Sequence, residues 1–353
     1  MSTPSPVTVD VHLRDDDLHS ALEHDVRHGL AARPKSIPPT WFYDDEGSRL
    51  FEEITRLTEY YPTRAERALL ARHARTIAAL SGADSLVELG AGSCDKTRLL
   101  LDALGARGPL LHYVPFDVSA QFLRTAARTV AHDYPGLRVH AVVGDFHHHL
   151  DRIPTAGRRL VAFLGGTIGN LTPDQRHRFL LDLHGVMIAG DDLHGATDAG
   201  DHLLIGTDLV KDADRIVAAY DDAAGVTAEF NRNVLRVMNR ALDAEFDPRC
   251  FDHVVRWDPD AQWIEMRLRS TRDQEVRIAR LGMTVRFDRG EELLTEISAK
   301  FTPDGVAREL GAAGFAVDRQ WGADEGEFLL TVAHPVGCAR PEGVPPARSP
   351  SVR

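Results

Sequence analysis

Residues 84–97, Asp-Ser-Leu-Val-Glu-Leu-Gly-Ala-Gly-Ser-Cys-Asp-Lys-Thr, constrain this chain more than any other stretch. Leu86, Val87 and Leu89 read as a short apolar strand, and Gly90 and Gly92 as a turn. Leu99, Leu100, Leu101, Ala103 and Leu104 then supply the apolar face of a helix. A strand, a glycine turn and a helix N-terminus make a cradle for a nucleotide-like ligand. Glycine accepts positive φ and lets the backbone come close to what it holds.

What the cradle lacks narrows the ligand. A dinucleotide fingerprint would place a third glycine three residues after Gly92, or two in the tighter count. Asp95 and Cys94 stand there instead, and a carboxylate would repel a phosphate. No Gly-Lys-Ser/Thr follows a glycine four residues earlier, so a P-loop is excluded. Glu88-Leu89-Gly90-Ala91-Gly92 with acidic neighbours suits a ligand with no phosphate and a positive centre. S-adenosylmethionine, a sulfonium carrying an amino acid, fits that description. A plain strand–turn–helix with no ligand stays open on this stretch alone.

At 353 residues the chain is long enough for two domains, or for one with a large insertion. A net charge of −12 disfavours a nucleic-acid backbone as partner, although a local basic groove could still exist. Cys94, Cys250 and Cys338 are odd in number and far apart, which points to neither a disulfide framework nor a cysteine zinc site. That usage fits a reducing cytoplasm. The first residues carry no apolar signal core and no apolar run is long enough to span a bilayer, so no membrane partner is expected.

Residues 1–17 read as a loose polar arm, and about 18–80 as mostly helical around the break Arg33–Pro39. Trp41-Phe42-Tyr43 and Glu59-Tyr60-Tyr61-Pro62 crowd aromatics beside turn residues, where they either pack a domain junction or line a pocket. Strands are expected at His112–Asp117, Val139–Val143, Leu160–Leu164 and Leu203–Leu209. Asp117 ends the second strand, where such folds hold ribose hydroxyls; a helix-start carboxylate is the other reading. Asp145 and Phe146 after the third strand suit an adenine amino group and its ring. His147-His148-His149 read as a polar loop, because consecutive side chains diverge; no metal is expected. Gly165, Gly166 and Thr167 to Asn170 follow the fourth strand, and Asn170 can both donate and accept, as an amino acid requires. A local turn residue is its alternative. Thr172, Pro173 and Gln175 form a helix start.

Residues 190–201 read as a surface-loop insertion, and 212–244 as helical. Phe251–Trp257, Trp263–Ser270, Glu275–Phe287 and Leu293–Phe301 then read as strands, followed by a helix to Ala313 and a closing hairpin at 315–321 and 327–334. Glu296 and Ser298, two apart on a strand, share a face and could bind the nitrogens of an imidazole; an exposed strand face is the alternative. The tail from Arg340 is expected to be disordered.

In this order, several motifs together resemble the S-adenosylmethionine-dependent L-histidine Nα-methyltransferases of ergothioneine biosynthesis. They are Tyr43-Asp44-x-x-Gly47-Ser48-x-Leu50-Phe51, Glu59 to Glu66, Glu88-Leu89-Gly90, Gly165 to Asn170, and Thr295-Glu296-Ile297-Ser298-x-Lys300-Phe301. The resemblance runs from about Tyr43 to Ala333. It implies an α/β, class I (Rossmann-like) methyltransferase sheet with a second, smaller α+β substrate domain. The methyltransferase domain would comprise 61–220 and 302–336; the substrate domain would be the insertion 221–301 with residues 18–60.

The resemblance implies trimethylation of the histidine α-amine to hercynine, with S-adenosylmethionine as methyl donor and no metal. It assigns Gly90, Lys96, Asp117, Asp145 and Phe146 to the cofactor and Tyr43 to the junction of both ligands, with Tyr43 and Asn170 at the reacting centre. Asn170 and Tyr220 would hold the substrate's amino and carboxylate ends, and Tyr60, Glu296 and Ser298 its imidazole; Gly165, Thr167 and Met266 complete the substrate set. A monomer acting on a small molecule is expected. Two departures stand out: Ser93-Cys94-Asp95, where small polar residues ending in Glu would be expected, and the 190–201 stretch. The rival readings are an N-methyltransferase acting on another amino acid or an indole-type amine, and a non-catalytic S-adenosylmethionine-binding module.

Overall fold

The computed structural model describes residues 7–13, 15–92, 94–155, 157–194, 200–323 and 326–337. It begins with β1 (Val7–Val11), α1 (Asp15–Ala31), the short β2 (Lys35–Ser36), α2 (Asp45–Ile54) and α3 (Tyr61–Ser81). Asp44 caps α2 by accepting from the Gly47 amide at 2.8 Å, and Gly82 ends α3 in the left-handed conformation. Strand and helix then alternate: β3 (Ser85–Leu89), α4 (Thr97–Arg107), β4 (His112–Asp117), α5 (Ala120–Asp133), β5 (Arg138–Val143), β6 (Arg159–Phe163), α6 (Pro173–His194) and β7 (His202–Asp208). The predicted capping of α6 forms, with Thr172 Oγ1 accepting from Gln175 N and Gln175 Oε1 accepting from Thr172 N.

Two helices follow, α7 (Ala213–Tyr220) and α8 (Val226–Leu242), then β8 (Phe251–Asp258), β9 (Trp263–Ser270), β10 (Gln274–Ile278), β11 (Met283–Phe287) and β12 (Glu292–Ala299). The chain closes with α9 (Pro303–Ala312), β13 (Phe315–Gly322) and β14 (Phe328–Pro335). The large sheet has the order β1-β5-β4-β3-β6-β7-β14-β13. Its first six strands are parallel, and β14 enters antiparallel between β7 and β13. β3, β6 and β7 are buried along their whole length, as strands covered by helices on both faces must be. This is the α/β, Rossmann-like class I architecture that the sequence implies.

A second sheet, β2-β12-β9-β8, is antiparallel apart from the short β2, and β10 and β11 form a separate hairpin. Its apolar core is distinct from the two that cover the large sheet, and joins Leu22 to Tyr61 with Ile216 to Leu293. N-terminal and late residues therefore pack as one body beside the parallel sheet.

Three expectations are corrected. Residues 7–11, placed in a loose arm, form a strand parallel to β5, because the alternating Val7, Val9 and Val11 complete the sheet edge. Glu275–Phe287 is no single strand; Gly282, at φ 58°, turns it back into the β10–β11 hairpin. The 190–201 stretch is not one loop: α6 continues to His194, and Asp201 is buried against Arg159, its carboxylate accepting from Arg159 Nε at 2.6 Å. Residues 195–199, Ser93, the first six residues and the expected disordered tail lie outside the described residues.

Candidate active site

Each parallel strand ends at the same edge of the sheet, so the residues after β3, β4, β5 and β6 meet there. Gly90 and Gly92 hold φ of 72° and 51° after β3. A Cβ at either would meet nothing within 4 Å, so it is the backbone angle that favours glycine there. Cys94 also has a positive φ, 58°, and its sulfur lies 3.1 Å from the Tyr113 hydroxyl beneath the turn. Asp117 at the tip of β4 accepts from Gly92 N at 3.1 Å and Ser119 N at 3.0 Å, fixing the turn against the next helix. Burial raises the pKa of Asp117, against those amide bonds.

These loops open onto a cavity of about 1060 Å³, ample for a nucleoside cofactor together with an amino acid. Of the residues singled out in the sequence, Tyr43, Tyr60, Gly90, Lys96, Asp117, Asp145, Phe146, Gly165, Thr167, Asn170 and Glu296 line it. Tyr220, Met266 and Ser298 stand behind its wall, buried. Asp145 accepts from His147 N at 2.8 Å, and Phe146 meets Phe163 and Phe179 edge-on at 5.5 Å. His147 and His148 line the cavity as well.

Glu66 had no assigned role, although it closes the Glu59-to-Glu66 motif. It is fully buried, its Oε1 accepts from Gly165 N at 2.8 Å, and its other oxygen pairs with Lys96. One carboxylate thus joins the glycine turn side of the site to the loop after β6. Glu88 is held by Thr97 and Tyr113 hydroxyls, and burial lifts its pKa to about 7.

The opposite end of the cavity is built by the second sheet. Glu296, on β12, is buried, and no protein group among the described residues hydrogen-bonds to its carboxylate. Desolvation raises its pKa from 4.5 to about 8, with Lys300 pulling the other way. The hydroxyls of Tyr43 and Tyr60, and the Asn170 amide, likewise have no hydrogen-bond partner among the described residues. The loop that carries Asn170 packs closely on the end of β12: a Cβ on Gly169 would sit 2.8 Å from the Ala299 carbonyl oxygen. Met266 lies opposite Glu296 in the β9–β12 pairing.

Lys300, absent from the sequence-based site, organises the wall behind. Its Nζ donates to Tyr220 OH and Ser298 Oγ, each at 2.9 Å, and pairs with Asp208 Oδ2 at 2.9 Å. Tyr220 in turn donates to Ser298 at 2.9 Å, and Tyr61 to Asp208 at 2.8 Å. The network carries β7, α7, α3 and β12 in one chain of bonds.

A pH dependence follows. A carboxyl whose folded pKa is raised binds its proton more tightly in the native state, so stability is greatest below the unfolded value near 4.5 and is lost as pH rises through about 8. The melting temperature of the ligand-free protein is expected to fall more steeply between pH 5 and 8 than that of Glu296→Gln. Parallel melting curves for the two proteins would contradict the buried, unpaired state of Glu296.

A family model described as "Histidine-specific methyltransferase, SAM-dependent" matches residues 22–335. A histidine N-alpha-methyltransferase of Mycobacterium tuberculosis is 53% identical over 93% of this chain and 99% of its own length. One from Mycolicibacterium smegmatis is 52% identical over 91% of this chain and 97% of its own. Ergothioneine biosynthesis protein 1 of Neurospora crassa is 30% identical over 84% of this chain, which spans 33% of that longer protein.

Proposed function

Because the chain belongs to the family of S-adenosylmethionine-dependent, histidine-specific methyltransferases, we propose that it transfers three methyl groups to the α-amine of L-histidine, giving hercynine, as a step of ergothioneine biosynthesis. The observation that carries the substrate is Glu296: a buried carboxyl group with no hydrogen-bond partner among the described residues, facing a cavity that Asn170, Tyr43 and Tyr60 also line. A buried polar group left unpaired costs about 1–3 kcal/mol, so a ligand that supplies its partner is favoured over one that does not. Imidazole does so, since its two nitrogens can donate or accept according to tautomer. An apolar side chain would leave Glu296 unpaired.

In this reading Gly90, Asp117, Asp145, Phe146 and Lys96 hold S-adenosylmethionine, Lys96 being aimed by Glu66. The donor supplies a methyl group on sulfonium sulfur, and its positive centre suits an edge lined by carboxylates. The chain's own work is alignment. Asn170 offers both a donor and an acceptor to the amino-acid end, and Gly165 and Thr167 shape the same loop. Tyr220 and Ser298, held by Lys300, set the position of the β12 strand that bears Glu296. The α-amine must arrive unprotonated and, after three rounds, leaves as a quaternary cation. The faces of Tyr43 and Tyr60 accommodate such a cation.

The body formed by residues 18–60 and 221–301 is read as the substrate domain, and 61–220 with 302–336 as the catalytic one. No helix among the described residues is long and apolar enough to cross a membrane. The free thiols of Cys94 and Cys250 support a reducing cytoplasm, and a monomer is proposed.

Incubation with S-adenosylmethionine and a mixture of the twenty common amino acids, followed by mass spectrometry, tests the reading. Histidine alone is expected to gain methyl groups. Methylation of tryptophan or another amine instead would keep the chemistry and overturn the pocket assignment. Cofactor binding with no product from any amine would favour a non-catalytic binding module.

A further inference from the structure

We propose that His202, Asp318 and His334 form a binding site for a divalent transition cation of the zinc class, at the margin of the large sheet away from the cavity. One ligand atom from each residue lies within 4.8 Å of the others. The three come from separate strands. His202 opens β7, whose far end at Asp208 belongs to the active-site wall; His334 lies near the end of β14. Asp318 sits where the β13–β14 register slips between Val317 and Arg319. An extra residue of this kind leaves the ladder and re-aims its side chain, here towards both histidines.

The orientation of His202 is the second observation. Its Nδ1 lies 3.2 Å from the Gly200 carbonyl oxygen, which can only accept, so Nδ1 carries the hydrogen and Nε2 presents a lone pair. Asp318 Oδ2 lies 3.8 Å from that Nε2. With Nδ1 on the carbonyl, Nε2 and the carboxylate oxygen stand as two acceptor atoms at that separation. Two ligands on one tetrahedral zinc ion stand about 3.4 Å apart, so a small side-chain adjustment fits the ion between them.

A backbone carbonyl that fixes the ring tautomer is also the usual outer support of a metal-binding histidine. His334 completes the set, with Nδ1 2.8 Å from Asp318 Oδ1 and a side chain 43% exposed, free to exchange its tautomer for a metal bond. Three protein ligands leave a fourth position for water. A cation there ties β7 to the closing hairpin without touching the cavity.

The test uses the untagged full chain, stripped of metal with chelator and free of histidine. Zn²⁺ is titrated calorimetrically, and Co²⁺ is added in parallel so that its visible absorption reports coordination. One equivalent of Zn²⁺ is expected to bind, to raise the melting temperature, and to give a four-coordinate Co²⁺ spectrum. His334→Ala and Asp318→Asn are each expected to weaken binding about tenfold or more. Both should retain the parental affinity for S-adenosylmethionine, which checks their fold. Binding unchanged in both variants would place the ion elsewhere, for example on His147 to His149, and would overturn the proposal. So would the absence of Zn²⁺ binding.

Discussion

Glu296→Ala is expected to lower kcat/KM for histidine by about two orders of magnitude while leaving the affinity for S-adenosylmethionine within about twofold. A hydrogen bond to a charged group contributes about 1.5–3 kcal/mol, a factor of roughly 10 to 150. Alanine also removes the discrimination, because the site no longer penalises a ligand that cannot pair with the carboxyl. Histidine should therefore lose its advantage over amino acids of similar size. Isothermal titration of each ligand, with steady-state kinetics across several amino acids, checks both parts. Unchanged histidine affinity would remove Glu296 from the site.

Lys300→Met is expected to be the most damaging single change away from the cavity surface. The ammonium is buried among Asp208, Tyr220 and Ser298. Removing it leaves Asp208 with Lys211 as its remaining cation and strips Tyr220 and Ser298 of their shared donor, at a cost of about 1–3 kcal/mol for buried groups left short of a partner. Urea unfolding should record that loss, and the folded fraction should also bind histidine more weakly, because Tyr220 and Ser298 lose their common donor. Adding Asp208→Asn should lower the stability further, because Lys211 then loses its carboxylate partner. A single variant as stable as the parent would show that the network is not coupled as described.

Much of the parallel sheet is legible in the sequence, because its strands are short apolar runs followed by glycine or a carboxylate. Leu86 to Gly90, His112 to Asp117 and Leu160 to Gly165 announce both strand and site, since ligands gather where such strands end. The residues lining the cavity at those tips were visible for the same reason. β1 was not, because five residues with three valines carry little signal until an edge of β5 is there to pair with. The β10–β11 hairpin was hidden by continuous strand-like composition, with one glycine to mark the turn.

Long-range partners are the other gap. Glu66 and Lys96, or Lys300 and Asp208, are far apart in the chain, and no periodicity links them. The His202, Asp318 and His334 cluster is of the same kind. Neither cysteine spacing nor the consecutive histidines point to these three residues, which meet only through the order of β7, β14 and β13.

The central claim is repeated methyl transfer to one nitrogen of one amino acid. Its most direct measurement supplies limiting histidine with excess S-adenosylmethionine and follows both products to completion. The account predicts three molecules of S-adenosylhomocysteine per histidine, and a fragmentation pattern that places all three methyl groups on the α-nitrogen. Methylation on the imidazole ring, or a reaction that stops after one methyl group, would contradict it.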